Sequence, residues 1–383
     1  MQVYLLRKGM DNQNLRGGVT VKGKKMRKAV VIVGVVATLV LLLLTMGGCG
    51  GKAGGAAGGA AAAKKGEPAI RWRLQSYAGP VLNKYVCGNA IDEFNIAANN
   101  EMVIDVYTAD ELVPQGELFQ ALQKGTVDAA VSDDDSMASP ADIAVFAAYF
   151  PLATRYGMDV DVLFNHYGLN EIWQEAYGEI EGVTWLAAGS WDPVNFVTRR
   201  PIKSLKDLKG LRVYSFPTGG KFVQRFGVVP MSIPYEDVEM SLQTGILDGI
   251  FWCGYTETST VGWAEVTKYF LTNPFCGGWV GSWFVNTKAW EKVPPHLQQL
   301  YRLAIDKSNY YRLHWYFWGE ANYRVSGKLQ LTTLPESDMK IVEKEAQKFW
   351  EEYATKSPRA AKVVEILKTY NANMIKAGPP YRY

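Results

Sequence analysis

Between residues 67 and 383 the spacing of apolar positions changes period again and again. Ile70–Gln75 alternates as a strand, and Val81–Ala98 carries an apolar stripe at helical spacing. Met102–Tyr107 alternates once more, and Gln115–Gln123 returns to helix. Asp159–Tyr177 reads as helix and Val183–Gly189 as strand, with further strands over Leu211–Ser215, Val228–Ile233 and Asp248–Cys253. After Pro294-Pro295 a helical pattern runs from about His296 towards Gly327, well beyond the usual ~10–14 residues and long enough to cross two domains. Ser337–Ala354 and Arg359–Ile375 add two more helices. Strands and helices interleaved in this way predict an α/β fold.

One stretch of the pattern occurs twice. Phe119–Ser132 reads FQALQKGTVDAAVS and Glu239–Trp252 reads EMSLQTGILDGIFW. Each has Leu-Gln-x-Gly-x-x-Asp leading into a small or apolar run. The glycine can take the left-handed cap that ends a helix, and a buried strand then starts at the Asp. A strand-like run precedes each unit, so a β-α-β unit is present twice, as expected of two domains that share a crevice.

Charge is uneven. Residues 1–28 hold eight Lys or Arg against the single acid Asp11, a net +7. The whole chain carries +3, which leaves −4 for the rest, so the basicity belongs to a leader and not to a nucleic-acid surface. The apolar run Ala29–Met46 follows, then Gly47-Gly48-Cys49 and an almost pure Gly/Ala stretch to Ala63. Cys49 in this setting resembles the lipidated cysteine of a bacterial lipoprotein, with an uncleaved anchor as the alternative. Either version puts the body outside the cytoplasm on a flexible tether. Cys87, Cys253 and Cys276 remain, enough for one disulfide, Cys253 with Cys276, or for three buried thiols.

Catalytic motifs are missing. His166, His296 and His314 have no metal-ligand spacing, no Gly-x-Ser-x-Gly elbow occurs, and Thr218–Phe222 lacks the spacing of a phosphate loop. A binding protein is expected, not an enzyme, and no cofactor; a membrane-tethered sensor or an extracytoplasmic hydrolase is the alternative.

The run Pro201–Trp252, with Asp110–Gln115, Phe150-Pro151-Leu152 and Trp283–Pro294, resembles the DctP-type solute-binding proteins of TRAP transporters across Ala69–Ala354. That resemblance implies a two-domain periplasmic-binding-protein-like fold, with a ligand cleft between the domains and a long spanning helix. It implies capture of a small organic acid, delivered to a small and a large membrane subunit. The expected division is a leader over 1–48, a tether over 49–67, domain I over 68–190 plus about 252–290, and domain II over 191–251 plus about 291–383.

In the resembled family an arginine on the strand after Lys-Gly-Leu grips the ligand carboxylate, as a planar fork can. Here the candidates are Arg212 and Tyr214, two apart and so on one strand face. A surface ion pair is the other reading of Arg212. Phe251 and Trp252 end the second duplicated strand, and Trp252 is expected against the ligand. Tyr77, Trp191 and Asn195 complete the expected binding set, and Phe216, Trp279 and Trp283 are further aromatic candidates for the wall. Asp133-Asp134-Asp135 ends the first duplicated strand. Asp133 and Asp135 could ligate Ca²⁺ or Na⁺, or Asp135 could face a ligand amine; the remaining option is a solvated loop in which one Asp caps the next helix.

Overall fold

The computed structural model describes residues 67–148 and 150–379. The leader, Cys49 and the Gly/Ala tether lie outside the described residues. Among the described residues no helix is long and apolar enough to cross a membrane.

The strands in chain order are β1 (Ile70–Ser76), β2 (Met102–Tyr107), β3 (Ala129–Ser132), β4 (Val183–Val194), β5 (Phe196–Thr198), β6 (Arg212–Ser215), β7 (Val229–Met231), β8 (Gly249–Phe251), β9 (Tyr269–Leu271), β10 (Cys276–Asn286) and β11 (Gln330–Thr332). They form two sheets, ordered β2-β1-β3-β10-β4 and β11-β9-β5-β8-β6-β7. Each sheet defines one lobe. In the first, β1 pairs parallel with β2 and β3. In the second, β6 pairs parallel with β7 and β8. These are the two copies of the duplicated unit.

The duplicated glycines do what the pattern requires. Gly125 ends the helix Leu118–Lys124 with φ 74°, and Gly245 ends Val238–Thr244 with φ 81°. A side chain at either would be strained.

Two extended stretches carry the chain between lobes, in addition to the long helix that links β10 to β11. β4 belongs to the first sheet up to Val194 and the chain re-enters the second as β5 at Phe196. β9 leads back through Thr272–Phe275 into β10. The crossings are bonded side by side, since Phe275 N–H donates to the Val194 carbonyl at 3.2 Å. The expected strand Val183–Gly189 therefore extends to Val194. Within the stretch 252–290, Tyr269–Leu271 pairs in the second sheet, while Pro193 and Val194 pair in the first.

Several predicted helices are interrupted. Val81–Ala98 is divided by a wide turn at Lys84–Gly88, and Asp159–Tyr177 breaks at Gly168, which has φ 87°. The long helix spans Pro295–Ser326, starts on a proline and stops at the left-handed Gly327. Ser308 on it donates to the Val86 carbonyl in the first lobe, and Tyr316 reaches Glu257 in the second. It ties both lobes together.

Candidate functional site

The carboxyl ends of the parallel strands in both lobes converge on one seam, the usual place for a ligand in such sheets. Tyr77 follows β1, Trp252 follows β8, and Tyr214 and Phe216 lie at the end of β6. Trp191 comes from β4 just before the crossing, and Trp279 from β10 beside it. Their rings meet. Tyr77 lies 6.0 Å from Trp191, 6.0 Å from Trp252 and 5.2 Å from Trp279, measured between centroids. Trp252 in turn touches Tyr214, Phe216, Tyr235 and Trp263. Edge-to-face and tilted contacts of this kind give a rigid apolar enclosure.

Inside that enclosure are carboxylates. Asp192 and Glu257 are buried, yet only one oxygen of each has a partner. Asp192 Oδ2 accepts from Gly254 N–H at 2.9 Å. Glu257 Oε1 accepts from Tyr316 at 2.6 Å and from Tyr77 at 3.1 Å, and Tyr77 itself accepts from Trp191 Nε1 at 2.6 Å. Asp192 Oδ1 and Glu257 Oε2 have no hydrogen-bond partner among the described residues. Glu320, from the long helix, accepts from Thr256 N–H at 3.0 Å and pairs with Arg324 at 3.4 Å. A Cβ on Gly254 would lie 2.6 Å from Glu320 Oε1 and 2.7 Å from Asp192 Oδ2, so glycine is what lets the acids approach.

Burial, and then mutual repulsion, set the electrostatics. Desolvation and the neighbouring charges of Glu257 and Glu320 hold the Asp192 carboxyl well above the ordinary range. Desolvation pushes Glu257 up to about 7 against the bonds from Tyr316 and Tyr77. Arg312 is the nearest buried cation, but it is spent. Its guanidinium lies 3.8 Å over the Trp191 ring and donates to the Val86 carbonyl, Ser308, Ser190 and Asn309. Two buried acidic oxygens beside an aromatic wall, to which no Lys or Arg among the described residues donates, make a place for a positive charge.

The other sequence candidates divide. Trp252, Tyr77, Trp191 and Tyr214 line the seam, with Phe216 and Trp279. Asn195, in the crossing, is buried; its Nδ2 donates to the Leu271 carbonyl at 2.9 Å and its Oδ1 has no partner. Phe251 is stacked on Phe196 at 4.6 Å and edge-on to Phe275, in the core of the second lobe. Trp283 packs on Tyr301 of the long helix. Arg212 lies at the opposite end of β6 from the seam, and its Nε donates to Asp248 Oδ2 at 3.0 Å. That is the ion-pair alternative for this residue.

The three aspartates diverge. Asp133 and Asp134 are buried, so the run is not a solvated loop. Asp133 accepts from Ser136 N–H at 2.7 Å and closes a turn. Asp134 accepts from Trp173 at 3.0 Å and Tyr177 at 2.6 Å. Asp135 reaches across the seam to Thr218 N–H at 2.9 Å. Among the described residues no group of three or more His, Cys, Asp or Glu is arranged to hold a metal ion. Cys253 and Cys276 form no disulfide, and both are buried thiols like Cys87.

Asp192, Glu257 and Glu320 were not among the sequence candidates. A partial signal existed for one of them, since Asp192 sits in Ser190-Trp-Asp-Pro-Val-Asn-Phe196, a charge inside an otherwise buried-type run. Glu257 lies in Tyr-Thr-Glu-Thr-Ser-Thr, which reads as surface.

Residues 86–357 match the family model DctP, described as bacterial extracellular solute-binding protein, family 7. The structure is similar to a TRAP periplasmic solute-binding protein from Chromohalobacter salexigens with bound (S)-(+)-2-amino-1-propanol. Identity is 56%, TM-score 0.81, covering 82% of this chain and 100% of that one. A monocarboxylate 2-oxoacid-binding periplasmic protein of Nostoc is 24% identical over 318 residues, 80% of this chain and 85% of that protein. A TRAP solute-binding protein of Bordetella bronchiseptica with calcium and picolinate shares the fold at 22% identity and TM-score 0.71, covering 81% of this chain and 95% of that one.

Proposed function

The chain belongs to the DctP family of extracellular solute-binding proteins, which are receptors and not enzymes, and we propose that its solute is a small amine-bearing organic molecule. The observation that carries this reading is the pair Asp192 and Glu257, each with an unpartnered oxygen inside the aromatic seam. An ammonium there would gain two charge-assisted hydrogen bonds and the attraction of the surrounding ring faces. Support also comes from the amino alcohol held by the similar Chromohalobacter protein. In this reading Trp252, Tyr77, Trp191 and Tyr214 pack around the solute, and Arg212 serves the second lobe's fold.

A small organic acid is the second reading, favoured by the names of the Nostoc and Bordetella relatives. It would need a cation in the seam, Ca²⁺ or Na⁺, to offset the acids. A thermal-shift panel of small amines, amino acids and 2-oxoacids, with and without chelator, separates the two. The amine reading expects stabilisation by amines that chelator leaves unchanged. Stabilisation by 2-oxoacids alone, lost with chelator, would contradict it.

We further propose that Cys49 is lipidated and that the receptor delivers its solute to a small and a large TRAP membrane subunit. The tether Gly50–Ala63 supports the first part and family membership the second.

A further inference from the structure

Resting on the amine reading, we propose that the seam selects a primary ammonium without a carboxylate beside it, and discriminates against both N-methylated amines and amino acids.

The crossing segment and the segment after β8 are bonded to each other. Asn195 N–H donates to the Cys253 carbonyl at 3.3 Å, and Gly254 N–H donates to Asp192 Oδ2 at 2.9 Å. Glu257 follows three residues on, in the first turn of the helix Tyr255–Thr260. This small region contributes three buried acceptors without a donor: Asp192 Oδ1, Asn195 Oδ1 and Glu257 Oε2. Their orientations are fixed, because the second polar atom of each side chain is already bonded to Gly254, Leu271, or Tyr77 and Tyr316.

A primary ammonium has three N–H donors and no acceptor. It matches that set in number and sign. An aromatic enclosure alone would also suit a quaternary ammonium, which binds through ring faces. A quaternary group donates nothing, so it would leave three buried acceptors unpaired, two of them on carboxylates, and that loss is steep. The acceptors favour the primary amine.

Carboxylates meet the opposite problem. The charged groups around the seam are Asp110, Asp133, Asp135, Asp192, Glu236, Glu257 and Glu320 against Arg312 and Arg324. Arg312 is spent on Trp191 and on protein oxygens, and Arg324 on Glu320. At the end of β6 the seam presents Tyr214, a phenol whose proton burial and nearby acids hold in place, not a cation. Trp252 Nε1 is a buried donor without a partner. This N–H and the buried, unpartnered Thr218 hydroxyl suit a hydroxyl; as neutral donors they do not offset a buried carboxylate.

Three matched probes on the same carbon frame test the proposal by calorimetry on the purified leaderless protein: (S)-2-amino-1-propanol, its N,N,N-trimethyl derivative, and L-alanine. The expected result is saturable binding of the amino alcohol, with each of the other two weaker by at least ~100-fold: the trimethyl derivative lacks the N–H donors that a site built for hydrogen bonding demands, and L-alanine brings a carboxylate that no free cation offsets. Binding of the amino alcohol together with equal binding of either analogue would overturn this selectivity and leave the amine reading standing. No binding of the amino alcohol would overturn the amine reading and this inference with it.

Discussion

Arg212 Nε donates to Asp248 Oδ2 at 3.0 Å, and its Nη2 reaches the Gly245 carbonyl at 2.7 Å. Arg73 does the same in the first lobe, with Asp128 Oδ2 at 3.0 Å and the Gly125 carbonyl at 3.1 Å. Both aspartates also accept the backbone N–H of their arginine, at 2.9 Å for Arg73 and 3.0 Å for Arg212. The duplicated Leu-Gln-x-Gly-x-x-Asp motif is thus one half of a clasp whose other half is an arginine on the neighbouring parallel strand, β1 or β6. Arg212→Ala is expected to lower Tm modestly and leave solute affinity unchanged. A Kd raised more than about tenfold with Tm unchanged would return Arg212 to the binding site.

This clasp shows what the sequence made legible. Helix, left-handed glycine and buried strand could be read from LQKGTVD and LQTGILD because those signals are local. Aligning the two copies one strand further back would have set Arg73 against Arg212 and identified Arg212 as part of the fold. The long helix was legible through its proline start and glycine stop. Asp192 and Glu257 were not, because a carboxylate's burial depends on what packs over it, here Trp191, Tyr316 and the approach at Gly254.

Asp192→Asn and Glu257→Gln each remove one charge from the pair and keep its shape. Losing one side of a buried charge contact costs ~2–5 kcal/mol, so affinity for (S)-2-amino-1-propanol should fall by at least ~30-fold in either variant. Calorimetry reads this directly. Unchanged affinity in both variants would remove the pair from recognition.

Proton linkage should give binding and stability opposite pH trends. Glu257 rises from its ordinary 4.5 to about 7 on burial, and Asp192 is raised as well. The folded protein without solute therefore holds protons that the unfolded chain has released, and its stability falls as pH rises from 4.5 to about 7. Asp133, at about 7, and Asp134, at about 6, act in the same direction. Tm without solute should be higher at about pH 6 than at about pH 8, with a smaller difference in Glu257→Gln. Amine affinity should run the other way and weaken towards acid, because protonation neutralises the anchors. Parallel trends in the two measurements would contradict this assignment.

Asp135 and Thr218 are bonded across the seam, the carboxylate on the first lobe accepting the Thr218 N–H on the second. A hydrogen bond to a charged group contributes ~1.5–3 kcal/mol. Asp135→Ala should weaken solute binding by roughly tenfold or more, acting through closure. Small-angle scattering at saturating solute should give the same compact radius as the native protein. A variant that binds normally would leave the latch without a role.

The leader carries its own prediction. Labelled lipid should be incorporated by the native chain and not by Cys49→Ala. Equal labelling of both would contradict the lipoprotein assignment.

Whether Asp192 and Glu257 hold an ammonium is read from a crystal structure of the protein with (S)-2-amino-1-propanol. The amine nitrogen is expected within hydrogen-bonding distance of Asp192 Oδ1 and Glu257 Oε2, enclosed by Tyr77, Trp191 and Trp252. Density for the molecule at Arg212, or a cation and a carboxylate held at Asp133 and Asp135 with the acid pair unengaged, would contradict it.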